Sequence, residues 1–366
     1  MSLTPVAAAD LMQQLDRFDA VIDARSEDEF ALDRIPGALN WPTLNNGERH
    51  EIGILYKQVN PFEARKRGAA IAARNISVHI ERHVLDKARD WKPLVYCWRG
   101  GQRSGSLALV LGQIGFRVSV VEGGYKAFRA ALVSDTARLA GTFTYQVVCG
   151  TTGSGKTRLL GALARCGAQV LDLEALASHR SSVLGAIPGQ PQPTQKAFDT
   201  RVWDVLRRFD PARPVYVESE SRKVGNLTVP SALMDTLRQG VCLNLVLSDP
   251  ERVALLMEDY DFFARDPDAF CARLDILSEL RGKLLVAQWK QAVASGRIED
   301  VVRELLAVHY DPGYENSMRR NFAQFGSASV LTPADRSERA MDAVAREVID
   351  TETVPGRPAS MVVSAL

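Results

Sequence analysis

Gly150-Thr151-Thr152-Gly153-Ser154-Gly155-Lys156-Thr157 follows the apolar run Gln146-Val147-Val148 and precedes a helical stretch, Arg158 to Arg165. The octet satisfies G-x-x-x-x-G-K-[ST] in the strand-to-helix setting that this pattern requires, which argues against a mere glycine-rich turn. Its glycines let successive backbone N–H groups wrap a phosphate chain, Lys156 supplies a positive charge between phosphates, and Thr157 can ligate Mg²⁺. Hydrolysis is a separate matter. The strand Val215-Tyr216-Val217 ends in Glu218-Ser219-Glu220 instead of a plain aspartate, and neither a water-positioning glutamine nor an arginine finger is identifiable. The loop is expected to hold phosphates, with ATP or GTP turnover left open.

Outward from this loop, short β-rich runs alternate with helical stretches: Thr142 to Val148, Gln169 to Leu171, Pro214 to Val217 and Val241 to Leu247. Such runs suit buried parallel strands. In α/β sheets ligands collect at the carboxyl ends of strands, so several groups are expected around one crevice. They are Asp172 and Glu174, the turn His179-Arg180-Ser181-Ser182, Glu218 and Glu220, and the pair Arg222-Lys223. Solvated loop charges are the plainer reading for each taken alone. From Asp249 to about Arg320 apolar residues recur at helical spacing, as in Val253, Leu256 and Met257, which predicts a helical insertion. A strand near Ala328 to Leu331 and a helix near Ser337 to Ile349 follow, and the tail after Pro355 is expected to be disordered.

Upstream lies a second series of strand candidates, Ala20 to Asp23, Leu94 to Tyr96 and Val118 to Val121, with a helix starting near Tyr125. Its chemistry sits in Cys97-Trp98-Arg99-Gly100-Gly101-Gln102-Arg103-Ser104, of the form C-x5-R-S, directly after a strand and before a helix. A loop wrapping into a helix N-terminus points backbone N–H groups inward and makes a nest for an oxyanion. The same dipole, with Arg99 and Arg103, favours a thiolate at Cys97, the form that attacks sulfur, selenium or phosphorus. A buried structural cysteine would leave the glycine pair and the arginines without a role. Cys149, Cys166, Cys242 and Cys271 lie in apolar surroundings and read as structural.

Residues 21–30 (Val21-Ile22-Asp23-Ala24-Arg25-Ser26 onward), Arg34-Ile35-Pro36-Gly37-Ala38-Leu39-Asn40 and Glu122-Gly123-Gly124-Tyr125 resemble the signatures of rhodanese domains and span the first 130 residues. The cysteine loop is one residue longer than in many single-domain sulfurtransferases and matches the length used by related cell-cycle phosphatases. A wider cradle suits a tetrahedral phosphate-bearing donor.

At 366 residues the chain exceeds what one core usually serves. The expected fold class is α/β: an N-terminal rhodanese-like domain at 1–138, a C-terminal P-loop NTPase-like parallel-sheet domain at 139–350 with its helical insertion at 249–320, and a tail at 351–366. Hydrophobic residues at 46% and charged residues at 24% suit a soluble enzyme, and no stretch approaches the roughly 18 apolar residues of a membrane span. Met1 to Asp10 has no basic flank or apolar core, so a cytoplasmic protein without a membrane partner is expected. The five cysteines lack C-x-x-C pairing, which argues against a disulfide framework or zinc cage. His50, His79, His83 and His309 have no metal-ligand spacing partner. A net charge of +1 means any nucleic-acid contact must come from local clusters: Arg65-Lys66-Arg67, Arg207-Arg208, Arg222-Lys223 and Arg319-Arg320.

The order of the two domains, together with residues 217–223, Gln192-Pro193-Thr194-Gln195-Lys196-Ala197-Phe198 and His309-Tyr310-Asp311-Pro312, resembles the tRNA 2-selenouridine synthase family over nearly the whole chain. Ser219 stands where a second acidic residue is expected, which puts a metal role at Glu218-Ser219-Glu220 in doubt. The resemblance implies a two-step reaction at the wobble uridine of tRNAs for lysine, glutamate and glutamine. The 2-thio group is geranylated from geranyl diphosphate, and selenium from selenophosphate then displaces the geranylthio group, through Cys97. It implies those two co-substrates, a selenophosphate source as partner, and no tightly bound organic cofactor. The phosphate loop would then hold the diphosphate of the geranyl donor. Tyr260, Phe262, Phe263, Phe270 and Trp289 could wall the geranyl chain, although an aromatic stripe at helical spacing needs no ligand to explain it. Two rival readings stand beside this one: a cysteine-dependent phosphatase, since C-x5-R-S is also that loop, and a nucleotide-gated sulfur carrier.

Overall fold

The computed structural model describes residues 3–180 and 184–353, so Ser181, Ser182 and the tail beyond 353 lie outside the described residues. The chain divides into two compact units, Met1–Arg138 with Pro193–Asp204, and Leu139–Gln192 with Val205–Leu366.

The first unit is built on five parallel strands, β1 (Thr4–Val6), β2 (Ala20–Asp23), β3 (Ala38–Asn40), β4 (Pro93–Tyr96) and β5 (Ser119–Val121), in the order β1-β5-β4-β2-β3. Ile22, Val95, Leu107, Leu111 and Val118 fill the core between the sheet and the helix Gln102–Ile114. β4 is buried at all four positions, as expected of a central strand covered on both faces. Between β3 and β4 the chain forms two long helices, Asn46–Gln58 and Pro61–His83, each started by an asparagine whose side chain accepts a backbone N–H.

A buried ion pair ties the first signature together. Arg25 donates to the Asp23 carboxylate at 2.6 Å and to the carbonyl of Asp33 at 2.7 Å, and its guanidinium lies 4.0 Å over the Tyr125 ring. Tyr125 in turn donates to Asp33 Oδ2 at 2.6 Å. The segment 193–204 counts with this unit: Arg129 donates to Asp199 Oδ2 at 2.8 Å, and Thr200 Oγ1 to Asp33 Oδ2 at 3.1 Å.

The second unit carries β6 (Tyr145–Cys149), β7 (Gln169–Leu171), β8 (Val215–Glu218), the antiparallel pair β9 (Lys223–Val224) and β10 (Leu227–Thr228), β11 (Val241–Leu245) and β12 (Ser329–Leu331). Its main sheet is parallel in the order β12-β11-β6-β8-β7. The helices Lys156–Arg165 and Glu338–Thr353 pack their apolar faces on it through Leu159, Leu163, Met341 and Val344. From Asp249 to Asn321 the chain is helical, with its own apolar cluster including Phe263, Phe270, Trp289 and Leu305. Among the described residues no helix is long and apolar enough to cross a membrane.

Candidate functional sites

Each unit places one loop of chemical interest at the carboxyl end of a central strand. In the first, β4 delivers Cys97, 3% exposed, and the following loop curls so that Gly101 N–H donates to its Sγ at 3.3 Å. Ser104 Oγ, fully buried, stands 3.1 Å from the same sulfur in position to donate. The curl is held from behind by the Gly123-Gly124 turn: Tyr125 N–H donates to Cys97 O at 2.8 Å and Lys126 N–H to Trp98 O at 3.0 Å. At Gly124, with φ of +58°, an added Cβ would stand 2.3 Å from Cys97 O and 2.5 Å from Gly100 N, so only glycine permits this approach. Trp98 stacks at a tilt on Tyr125, with ring centroids 5.4 Å apart. Arg103 pairs with Glu29 at 2.7 Å, and that pairing holds the Glu29 carboxyl below its ordinary range despite partial burial. Arg99, Gly100, Gly101 and Gln102 form the exposed lip.

In the second unit, β6 leads into the phosphate loop. Gly150, at φ of +152°, has no room for a Cβ, which would meet Ser154 Oγ at 2.3 Å and Leu245 O at 2.6 Å. Lys156 Nζ reaches back over the loop to Gly150 O at 2.7 Å. Thr157 Oγ1 donates to Glu174 Oε2 at 3.2 Å. Because β8 and β7 follow β6 in the sheet, their ends bring carboxylates to the same place. Donor atoms of Glu174, Glu218 and Glu220 lie within 4.8 Å of one another. Glu218 is 1% exposed and its Oε2 has no hydrogen-bond partner. Burial, then the charges of Glu174 and Glu220, push its carboxyl well above the ordinary range. Three hard oxygen donors beside a threonine hydroxyl, one of them orphaned and buried, fit a divalent cation such as Mg²⁺. Glu174 supplies the third carboxylate that Ser219 does not.

The loop and these acids border one crevice of about 910 Å³, which Gly153, Gly155, Arg180, Arg222 and Tyr314 also line. Of the residues that sequence reasoning grouped here, Glu174, Arg180, Glu218, Glu220 and Arg222 line it. His179 and Lys223 instead line a neighbouring cleft with Arg273, and burial lowers the His179 pKa. Asp172 caps the helix Leu173–Ala177 by accepting from Ala175 N–H at 2.8 Å, and burial raises its carboxyl.

Three residues escaped the sequence reading of this site. Arg252, buried, donates twice to Thr152 O at 2.8 and 3.0 Å, and its guanidinium is held by Asp311 at 2.6 Å. Gly150 N–H donates to the Tyr314 hydroxyl at 2.6 Å. The motif His309-Tyr310-Asp311-Pro312 was the available signal: its aspartate fixes the arginine that fixes the loop.

Comparison with known proteins agrees with this construction. The rhodanese-like domain model matches residues 7–131, and the tRNA 2-selenouridine synthase AAA domain model matches residues 143–273. The chain is thus an N-terminal rhodanese-like domain followed by a P-loop parallel-sheet domain. It is 30% identical over 350 residues to the tRNA 2-selenouridine synthase of Alcanivorax borkumensis, covering 87% of this chain and 93% of that one. To that of Verminephrobacter eiseniae it is 33% identical over 333 residues, covering 80% and 87%. To that of Marinobacter nauticus it is 29% identical over 349 residues, covering 87% and 94%. With both domains matched in order and relatives aligned along most of their length, the chain belongs to the tRNA 2-selenouridine synthase family.

Proposed function

We propose that this protein converts 2-thiouridine at the wobble position of tRNA to 2-selenouridine through an S-geranyl-2-thiouridine intermediate, working in the cytoplasm on the lysine, glutamate and glutamine acceptors. What carries the reading is the pairing, in one chain, of two anion cradles with different chemistry: a thiol held by two donors and a phosphate loop beside three carboxylates.

In the first step the uridine sulfur attacks C1 of geranyl diphosphate, the C1–O bond breaks, and pyrophosphate leaves. Lys156 and the loop N–H groups would stabilise the charge gathering on that leaving group. Glu174, Glu218, Glu220 and Thr157 would hold Mg²⁺, which when bound neutralises diphosphate charge. Selenium from selenophosphate then replaces the geranylthio group. The loop from Trp98 to Ser104 is suited to the tetrahedral phosphate of that donor, and Cys97 to carrying its selenium.

Mass spectrometry of nucleosides from thiolated tRNA, incubated with the protein, geranyl diphosphate and selenophosphate, tests the proposal. Appearance of 2-selenouridine supports it. Unchanged nucleosides, with Cys97-dependent hydrolysis of an aryl phosphate, would favour a phosphatase instead.

A further inference from the structure

Beside the phosphate crevice, in the same unit, lies a narrow cleft with carbon-rich walls: Leu256, Tyr260, Phe263, Phe270 and Val302, with Thr152 of the phosphate loop at its edge. Thr152, Leu256 and Tyr260 border both spaces. The two are in direct contact through the loop, since a Cβ on Gly153 would stand 3.1 Å from the Leu256 side chain. Arg180 lines the phosphate crevice while its guanidinium lies 4.6 Å over the Tyr260 ring, so a cation and an aromatic face meet at the junction.

Phe263 and Phe270 belong to the apolar core of the helical segment, as the aromatic spacing suggested, and Trp289 lies within that same core. The cleft is where that core reaches the phosphate loop. A nucleoside seated here would have to bury its ribose hydroxyls and base edges against carbon, at a cost of a few kcal/mol for each unpaired group. A hydrocarbon chain carries no such cost, and burial stabilises each methylene by about 0.8 kcal/mol.

Resting on the reading above, we infer that this cleft receives the apolar tail of the molecule whose phosphates the loop holds, a prenyl diphosphate. The ligand lies with its diphosphate on Lys156 and Thr157, its reacting C1 near Thr152, and its chain along Leu256, Tyr260 and Val302.

The test is calorimetric binding of inorganic pyrophosphate, dimethylallyl diphosphate and geranyl diphosphate to the full chain and to Val302→Phe, which fills the cleft from its wall. The wild type should bind geranyl diphosphate most tightly. Val302→Phe should lower geranyl diphosphate affinity by at least about tenfold, shift preference toward the shorter chain, and leave pyrophosphate affinity within about twofold. Val302→Leu, a smaller enlargement, should move the geranyl-to-pyrophosphate ratio in the same direction and guards against a misfolded variant. If both variants keep the wild-type ratio, the placement of the tail is wrong while a prenyl donor still stands. If the wild type binds geranyl diphosphate no better than pyrophosphate, the donor reading fails and the cleft assignment with it.

Discussion

Arg252 Nη2 donates to the carbonyl oxygen of Thr152 at 2.8 Å, tying the helical segment to the crest of the phosphate loop. The same guanidinium takes Asp311 at 2.6 Å. Removing the carboxylate should loosen both ends of this tie. Asp311→Ala is expected to lower stability by about 1.5–3 kcal/mol, as for a lost hydrogen bond to a charged group. It should weaken pyrophosphate binding as well, whereas Asp311→Asn should retain part of both, read by thermal unfolding and calorimetry.

That tie also shows what a sequence hides. The glycines, lysine and threonine of the loop are adjacent in the chain, so the motif is legible; Arg252 and Asp311 are 59 residues apart and nothing local pairs them. The strands Thr4–Val6 and Ala38–Asn40 went unread because three residues carry too little periodicity, and the hairpin Lys223–Val224 with Leu227–Thr228 is shorter still. Conversely, β4, β6, β8 and β11 are apolar throughout, and their positions were plain from composition. The packing of Pro193–Asp204 with the first unit depends on Asp199 and Thr200 meeting Arg129 and Asp33, which no pattern along the chain announces.

Glu218 makes stability depend on pH in a defined sense. Its folded carboxyl titrates well above the ordinary range, chiefly through burial, so the folded chain keeps a proton that the unfolded chain loses. Folding then becomes less favourable as pH rises from the ordinary carboxylate range towards the raised value. Thermal melts without divalent ions should show Glu218→Gln losing less stability than wild type between acid and neutral pH. Added Mg²⁺ should stabilise wild type increasingly as pH rises, and Glu218→Gln hardly at all.

Gly124→Ala should damage the cysteine loop specifically. The left-handed backbone alone costs an alanine about 1–2 kcal/mol, and the new methyl would meet Cys97 O and Gly100 N. Selenium incorporation should fall sharply, while pyrophosphate binding by the second unit, which has its own core, stays within about twofold of wild type.

Binding of tRNA should weaken steeply with salt, because a chain of net charge +1 must rely on clusters such as the exposed Arg65-Lys66-Arg67 and Arg319-Arg320. Replacing a cluster that touches phosphate with alanines should flatten the dependence of log affinity on log salt by about 0.7–0.9 for each phosphate no longer neutralised. Filter binding across a salt series reads this directly.

The central claim is a division of labour between Cys97 and Lys156. The measurement that tests it most directly is nucleoside mass spectrometry of thiolated tRNA after incubation with geranyl diphosphate and selenophosphate, comparing wild type, Cys97→Ala and Lys156→Ala. The account predicts 2-selenouridine with wild type, accumulation of S-geranyl-2-thiouridine with Cys97→Ala, and neither modified nucleoside with Lys156→Ala. Geranylation that persists undiminished in Lys156→Ala, or selenation that persists in Cys97→Ala, would contradict it.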